Sequence, residues 1–439
     1  MKRSKLFQFA TILILLGISF QNLHATDGYF RHGYGIKYSA MGGAGSALSL
    51  SSIGAATNPA SLSFLDSRFD VSLAGFMPSR QFTVTGNPSG FPGTFGLAPG
   101  TIESESNFFP MPTIGVNYKF NETMAFGLAF IANGGMNTDY ETAVFGDPTS
   151  PETGVNIEQM FLEATYSVQF VPNHSFGVSV VAGYQRFAAK GLLAFANFSQ
   201  DPANLTGNSH SVSTGVGFRV GYQAKILPIL SVGASYQTKI SMSPFDRYAG
   251  LFAEKGDFDV PATWNAGFAV KATKQLTFAF DVQQILYSGV KSVSNVLNPM
   301  TLAPAFPDGA GGYIPNPNFA PLGSDNGAGF GWTDVMAYKF GLMYEVNSDW
   351  VLMAGFEHNE NPISESELLF NILAPGVVQN HITLGVTRNL DGGKEINFGF
   401  TYALANTVEG PNRLEAPGQQ TIELQMSQIQ FEVGYAFGF

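Results

Sequence analysis

The stretch PTIGVNYKF, Pro112–Phe120, carries two interleaved sets of side chains. Ile114, Val116, Tyr118 and Phe120 fall on one face of an extended chain; Thr113, Gly115, Asn117 and Lys119 fall on the other. Alternation with period two is the signature of a β-strand, here with one large apolar face and one small or polar face. A short link, Asn121–Thr123, leads to a second expected strand over 124–132. The same alternation recurs at Phe176–Tyr184, Phe218–Ala224, Leu230–Tyr236, Trp264–Val270, Leu276–Val282, Trp350–Phe356 and Ile396–Leu404.

Composition decides which kind of sheet this is. Charged residues make up 13% of the 439, against about 25% in an ordinary soluble protein. A soluble sandwich buries its apolar faces against a second sheet and needs a charged exterior. A membrane barrel turns the apolar face to lipid and the small, polar face to its lumen. The scarcity of charge, with 50 Gly and 40 Phe, therefore points to an all-β, antiparallel transmembrane barrel in contact with outer-membrane lipid. A net charge of −11 argues against a nucleic-acid partner, whose phosphates require basic patches. The chain has no cysteine, which excludes disulfides, thiolate metal sites, a Cys nucleophile and a Cys-linked lipid anchor.

Extending the pattern gives fourteen strands, near 68–84, 112–120, 124–132, 159–170, 175–189, 215–225, 230–242, 260–271, 276–287, 333–345, 350–358, 380–388, 395–405 and 428–439. Short and long links alternate strictly between them, as periplasmic turns and outer loops do in such barrels. The even count places both ends of the barrel on the periplasmic side. The last strand sets Phe431, Val433, Tyr435, Phe437 and Phe439 against Glu432, Gly434, Ala436 and Gly438. An exposed aromatic edge would be an aggregation liability in a soluble protein. In outer-membrane barrels generally, a final strand ending in Phe is what the assembly machinery reads, so Phe439 is the expected assembly signal. A monomer is expected.

The N-terminus has a separate role. Lys2, Arg3 and Lys5 precede an apolar run, Leu6–Phe20, and Leu23–Ala25 offers a small residue for cleavage. This is the order of a secretory signal peptide, residues 1–25; the run is short for a transmembrane helix, which needs about 20 apolar residues. Residues 26–66 do not alternate and are rich in glycine (Gly33, Gly35, Gly42, Gly43, Gly45), too much so for an isolated helix. They are expected to plug the lumen of the barrel formed by 67–439 rather than to trail as a periplasmic tail.

Catalytic signatures are absent. The six histidines show no metal-ligand spacing, and neither a nucleophile elbow nor a nucleotide loop occurs. Ser288 and Lys291 match Ser-x-x-Lys by letters, without the accompanying motifs. The reading is therefore not an enzyme, with no metal and no cofactor. Two outer loops are instead unusually apolar: 190–214 carries Phe195 and Phe198, and 243–259 carries Phe245, Tyr248 and Phe252. On topology these positions are exposed, and large exposed apolar patches mark binding sites; packing of the two loops together as a lid is the alternative.

Tyr34–Ser39, the Gly-Ala stretch after it and Asn58-Pro59-Ala60, followed by Met111-Pro112, Phe126-Gly127 and the terminal Phe, resemble the FadL family. Its members are outer-membrane transporters of long-chain fatty acids and, in one branch, of hydrocarbons. The resemblance implies a hatch centred on Asn58, Pro59 and Ala60, capture of a hydrophobic small molecule by the two apolar loops, and sideways exit at an inward kink in the third strand. On this chain the kink would be at Asn133, Gly134 and Gly135, with hatch movement near 58–60 opening the way to it. Arg186 and Lys190 are the candidate contacts for a carboxylate head group, although Arg186 would serve equally as a lumen charge paired with Glu163. Acidic residues at 139, 141, 147 and 152, and the lack of Lys or Arg between Lys291 and Lys339, disfavour an anion and keep neutral hydrocarbons in play. The rival functions are a protein-secretion shuttle of the same fold and a non-specific diffusion porin.

Overall fold

The computed structural model describes residues 27–439; the expected signal peptide lies outside them. Among the described residues the wall consists of fourteen antiparallel strands. They are β1 Arg68–Thr85, β2 Phe109–Asn121, β3 Met124–Gly134, β4 Thr153–Val171, β5 His174–Lys190, β6 Ser211–Leu227, β7 Leu230–Gln237, β8 Thr263–Lys271, β9 Leu276–Ile285, β10 Val335–Glu345, β11 Trp350–Asn359, β12 Asn380–Leu390, β13 Lys394–Pro411 and β14 Thr421–Gly438. Consecutive strands pair, and β1 pairs with β14 from Arg68↔Gly438 to Thr85↔Thr421, so the sheet closes on itself. Closure joins the first strand to the last, which is what allows strands to cross lipid. No helix among the described residues is long and apolar enough to cross a membrane.

Outward rows are large and apolar along their length: Ile114 and Tyr118 on β2, Phe176 and Val180 on β5, Phe431 and Val433 on β14 are all exposed. Strand ends depart from expectation mainly at the outer end. β14 begins at Thr421 rather than near 428, and β13 runs to Pro411 after a register shift between Ala403 and Asn406. Leu424 and Met426 are buried under the outer loops, so these strands continue past the lipid band as support for the cap. Phe439 stands 63% exposed at the closing seam, where its N–H meets the Ser67 carbonyl at 3.2 Å. Deleting Phe439 is expected to lower the amount of folded barrel recovered from outer membranes; wild-type levels would show that closure does not depend on the terminal ring.

Residues 27–66 lie inside the barrel in irregular form, with short turns at Ile36–Ser39, Ser52–Ala56 and Pro59–Phe64. Nearly all are buried. Space for them comes from inward-facing glycines of the wall. A Cβ on Gly233 would stand 1.9 Å from the Ser46 carbonyl oxygen, one on Gly355 2.0 Å from Gly42 N, and one on Gly177 2.3 Å from the Pro59 carbonyl carbon. The small face of the alternation is thus small because a second layer of chain presses on it. Specific polar contacts complete the seating: Asp281 on β9 accepts from the N–H groups of Gly45 and Ser46 at 2.8 and 2.7 Å, and Lys37 pairs with Glu395 at 2.7 Å.

Candidate functional site: a break in the wall and its plug

β3 stops at Gly134 and resumes as a short strand, Asn137–Tyr140, that pairs again with β4. The register shifts between Ala132 and Gly134. Gly134 has φ +150, a conformation open to glycine and costly for other residues. A Cβ on Gly135 would stand 1.9 Å from the carbonyl oxygen of Ile157 on β4, so no side chain fits there. The opposite lip belongs to β2. Its ladder with β1 continues to Phe76↔Phe109, but its ladder with β3 ends at Thr113↔Ile131. Pro110 and Pro112 lie two apart, so the N–H groups they lack would both have faced the same neighbour. Proline within a sheet belongs at such an unpaired edge. The break is therefore made by prolines on one lip and glycines on the other. The sequence reading named only the glycine side; a Pro-x-Pro inside an alternating strand was the available signal for the other.

A cavity of about 470 Å³ opens at this break. Its apolar lining includes Phe76, Phe109, Met111, Met160 and Met426, and its inner end meets Arg31, His32 and His381. Phe108 and Pro110 also line a groove of about 590 Å³ on the apolar exterior of β1 and β12–β14. Cavity and external groove thus share a lip.

The plug meets the break through its first residues. Phe30 forms a bridge with Gly134, and the Tyr34 hydroxyl donates to Asn133 Oδ1 at 2.5 Å. Asn58, Pro59 and Ala60 sit elsewhere. Asn58 caps its own turn by accepting from Ala60 N at 3.0 Å and donates to the carbonyls of Ser46 and Tyr222 at 2.7 and 2.9 Å; Ala60 accepts from Ser167. The tripeptide is pinned to β4–β6, away from the break, and the plug residues that meet the break are Phe30 and Tyr34.

This first stretch of the plug is tethered by buried charge. Lys339 on β10 lies 3.3 Å from Asp27, 3.0 Å from Glu357 on β11, and donates to the His32 carbonyl at 2.7 Å. His381 on β12 lies 2.8 Å from Glu357, and its ring stacks on His32 at 4.8 Å. Arg31 pairs with Glu432 at 3.3 Å. Burial, then the neighbouring Glu357, pushes the Asp27 carboxyl up to about 7; burial holds the His32 imidazole well below its ordinary value. The fold brings donor atoms of His32, Glu357 and His381 within 4.8 Å of one another, a grouping invisible in sequence spacing. The Lys339 ammonium already supplies the positive charge a metal would bring.

Above the plug, Phe195, Phe245, Tyr248 and Phe252 are buried, which corrects the expectation that they are exposed; Phe198 is half-buried. They pack inward with Phe187 of β5, whose ring lies 4.7 Å from Tyr248 and 4.6 Å from Phe252, while Phe195 contacts Phe95 and Phe370. The loops are buried in one another, with a small apolar cavity of about 40 Å³ between Phe187, Phe195, Phe252 and Phe370. Tyr29 reaches this cap from below, 5.8 Å from Trp332.

Arg186 and Lys190 both lie on the outward face of β5, in line with Val180 and Tyr184, because even-numbered residues of that strand face outward. Arg186 pairs with Glu158 at 2.8 Å, and Lys190 pairs with Asp139 at 2.8 Å and with Glu152. Glu163 faces inward and takes Arg219, 3.0 Å away, so the alternative Arg186–Glu163 pair does not form. Both candidate head-group contacts are already neutralised by carboxylates.

The family model for outer membrane protein transport proteins (OMPP1/FadL/TodX) matches residues 32–434. Among solved structures, the toluene transporter TodX of P. putida is similar at 18% identity and TM-score 0.65, over 93% of this chain and 99% of its own. The toluene transporter TbuX of Ralstonia pickettii is similar at 17% and 0.60, over 93% and 99%. A Pseudomonas aeruginosa FadL homologue is similar at 16% and 0.65, over 94% and 100%. No curated protein matches the chain.

Proposed function

This chain belongs to the outer membrane protein transport family (OMPP1/FadL/TodX), a family of transport channels and not of enzymes, and on that premise we propose that it imports hydrophobic small molecules, long-chain fatty acids or hydrocarbons, across the outer membrane of a Gram-negative bacterium. Ligand enters between the apolar outer loops, passes the Tyr29–Tyr34 stopper, and leaves sideways between β2 and β3. The observation that carries this reading is the apolar cavity at the wall break, sharing Phe108 and Pro110 with a groove on the lipid-facing surface. Below it the barrel axis is filled by buried chain.

The route follows from solvation. An alkyl chain gains about 0.8 kcal/mol per CH₂ on leaving water. A straight descent to the periplasm would expose every methylene again, whereas a side exit delivers the chain into apolar surroundings. Because Phe195, Phe245, Tyr248 and Phe252 are packed together, capture requires the two loops to part around the small cavity between them. The filled lumen favours this reading over a diffusion porin. The test is uptake of labelled oleate and labelled toluene by a deletion strain and its complemented parent. Loss of either uptake on deletion is the expected result. Unchanged uptake of both, together with co-purification of a secreted protein client, would favour the secretion shuttle instead.

A further inference from the structure

We infer that Gln159 and Gln185 are positioning residues for the plug: with Asn133 they form a one-way chain of side-chain amides that ties Tyr34 of the plug to the main-chain carbonyl of Phe258 in the outer loop 243–259. This rests on the reading above that the loop parts when ligand is captured, and it names how that movement reaches the break.

The chain crosses three wall strands. The Tyr34 hydroxyl donates to Asn133 Oδ1 at the end of β3, and Asn133 Nδ2 donates to Gln159 Oε1 on β4 at 3.0 Å. Gln159 Nε2 donates to Gln185 Oε1 on β5 at 2.9 Å, and Gln185 Nε2 donates to the Phe258 carbonyl at 2.7 Å. Gln159 and Gln185 stand directly opposite in the β4–β5 ladder, and Asn133 falls at the register shift of β3. All three amides are buried. Ile157 and Phe161 flank Gln159 on the inward row of β4, and Phe187 follows Gln185 on that of β5; all three are buried in the apolar cap. An amide in such surroundings is costly unless it is bonded, so each link holds the next. At the loop end the Phe258 ring packs 4.9 Å from Phe252.

The loop end sets the direction of the chain. A main-chain carbonyl only accepts, so Gln185 must present its NH₂ to Phe258, which leaves its oxygen for Gln159. Gln159 must then present its NH₂ to that oxygen and its own oxygen to the NH₂ of Asn133. Asn133 is left with its oxygen toward Tyr34, whose hydroxyl donates. Turning one amide over sets oxygen against oxygen or NH₂ against NH₂ at its contacts, so the three turn together. In the opposite run Asn133 would present NH₂, and the buried hydroxyl proton of Tyr34 would lose its acceptor. An element with two discrete arrangements is what carries coupling between separated sites. With the Phe258 carbonyl in place, Tyr34 is held at the break, where Phe30 also bridges to Gly134. When loop 243–259 lifts, Gln185 loses the acceptor that fixes the run, and the hold on Tyr34 weakens. Ligand captured by the loop thus loosens the plug at the break without touching it.

The test is hydrogen exchange, read by mass spectrometry on peptides covering residues 27–34, in the purified full-length protein in detergent. Gln185→Leu is expected to raise exchange there about tenfold, the effect of leaving a buried amide unpaired, although the hydrogen-bond partners of Gln185 are Gln159, Ser213 and Phe258 and none lies on the plug. Tyr34→Phe is expected to do the same, and the double variant to do no more than either alone. Wild-type exchange at 27–34 in a folded Gln185→Leu barrel, checked by heat-dependent gel mobility, would overturn the inference. So would additive effects of the two substitutions. Phe252→Ala, which loosens the loop around Phe258, gives a second cycle with Tyr34→Phe that does not depend on Gln185→Leu assembling: non-additivity is again expected, and additivity overturns the inference. These ligand-free variants decide the chain of amides by themselves. Repeating the wild-type measurement with oleate and with toluene decides the other claim: if neither compound alters exchange at 27–34 or 243–259, it is the transport reading that fails.

Discussion

Gly135→Val is expected to assemble into a closed barrel and to import its substrate at roughly a fifth of the wild-type rate or less. A Cβ at 135 falls 1.9 Å from the Ile157 carbonyl oxygen, which is main chain within the continuous β4–β5 ladder. That oxygen has nowhere to retreat, so the β3 chain must move. The contact at risk is the 2.9 Å bond from Ile157 N to the Met136 carbonyl, which holds the kinked segment to the wall. Overpacking of this kind costs about 1–3 kcal/mol, and the same free energy taken from the conducting shape of the break lowers its population by about five- to 140-fold. The ladders that close the barrel, β1–β14 above all, are untouched, so assembly should survive. Oleate uptake measured alongside heat-dependent gel mobility separates the two effects. Normal uptake by a correctly assembled Gly135→Val barrel would remove the kink from the pathway. A bulky residue at Gly134 acts differently: its Cβ would meet the Tyr29 carbonyl oxygen at 2.3 Å and push on the stopper.

Lys339→Met is expected to turn a closed barrel into a leaky one. Its ammonium is the cation shared by the buried Asp27 and Glu357, and removing one partner from such an arrangement costs about 3–5 kcal/mol because the remaining charges stay buried. Asp27 sits on the plug and Glu357 on the wall, so the cost is relieved by releasing residues 27–34 from their seat. Planar-bilayer recordings should show little steady conductance for wild type and frequent openings for the variant. The pH dependence of seating has two opposed parts. The Asp27 carboxyl lies near 7 when seated, against an ordinary value of 3.8, so that group favours seating in acid and loses the effect as the pH rises through about 7. His32, held well below its ordinary 6.5 by burial, favours release as the pH falls below that value. Seating is therefore expected to weaken as the pH rises through about 7 and to gain little from stronger acid. A variant as silent as wild type at pH 8 would show that other contacts hold the stopper. Steady conductance in wild type itself would instead favour an open porin.

Much of the architecture was legible because lipid imposes a period. Each crossing must alternate, so Pro112–Phe120 and its repeats could be counted to fourteen, and the aromatic row Phe431–Phe439 marked the closing strand. The glycines of the break were legible for a local reason, since Gly134 adopts backbone that is costly for other residues and Gly135 leaves no room for a side chain. The partners of the basic residues were not. Arg186, Lys190 and Arg80 are equally basic in sequence, and only strand register sends Arg186 outward to Glu158 while turning Arg80 inward among Phe76 and Phe109. Loop aromatics were read as exposed because loops usually are; Phe245 and Tyr248 are buried because several long loops close over one another.

From its residue order alone, this chain was committed to a lipid-facing barrel with small residues lining its interior, since alternation and low charge are properties of each strand by itself. Where the wall parts, which plug residues meet the gap, and which buried arginine has no acid beside it among the described residues were settled only by the assembled barrel. Lys339, Glu357 and His381 are cross-strand neighbours on three consecutive strands, but Asp27 is far from them along the chain, and no local pattern carries its meeting with them. Contacts of that kind depend on register and closure, which belong to the whole barrel.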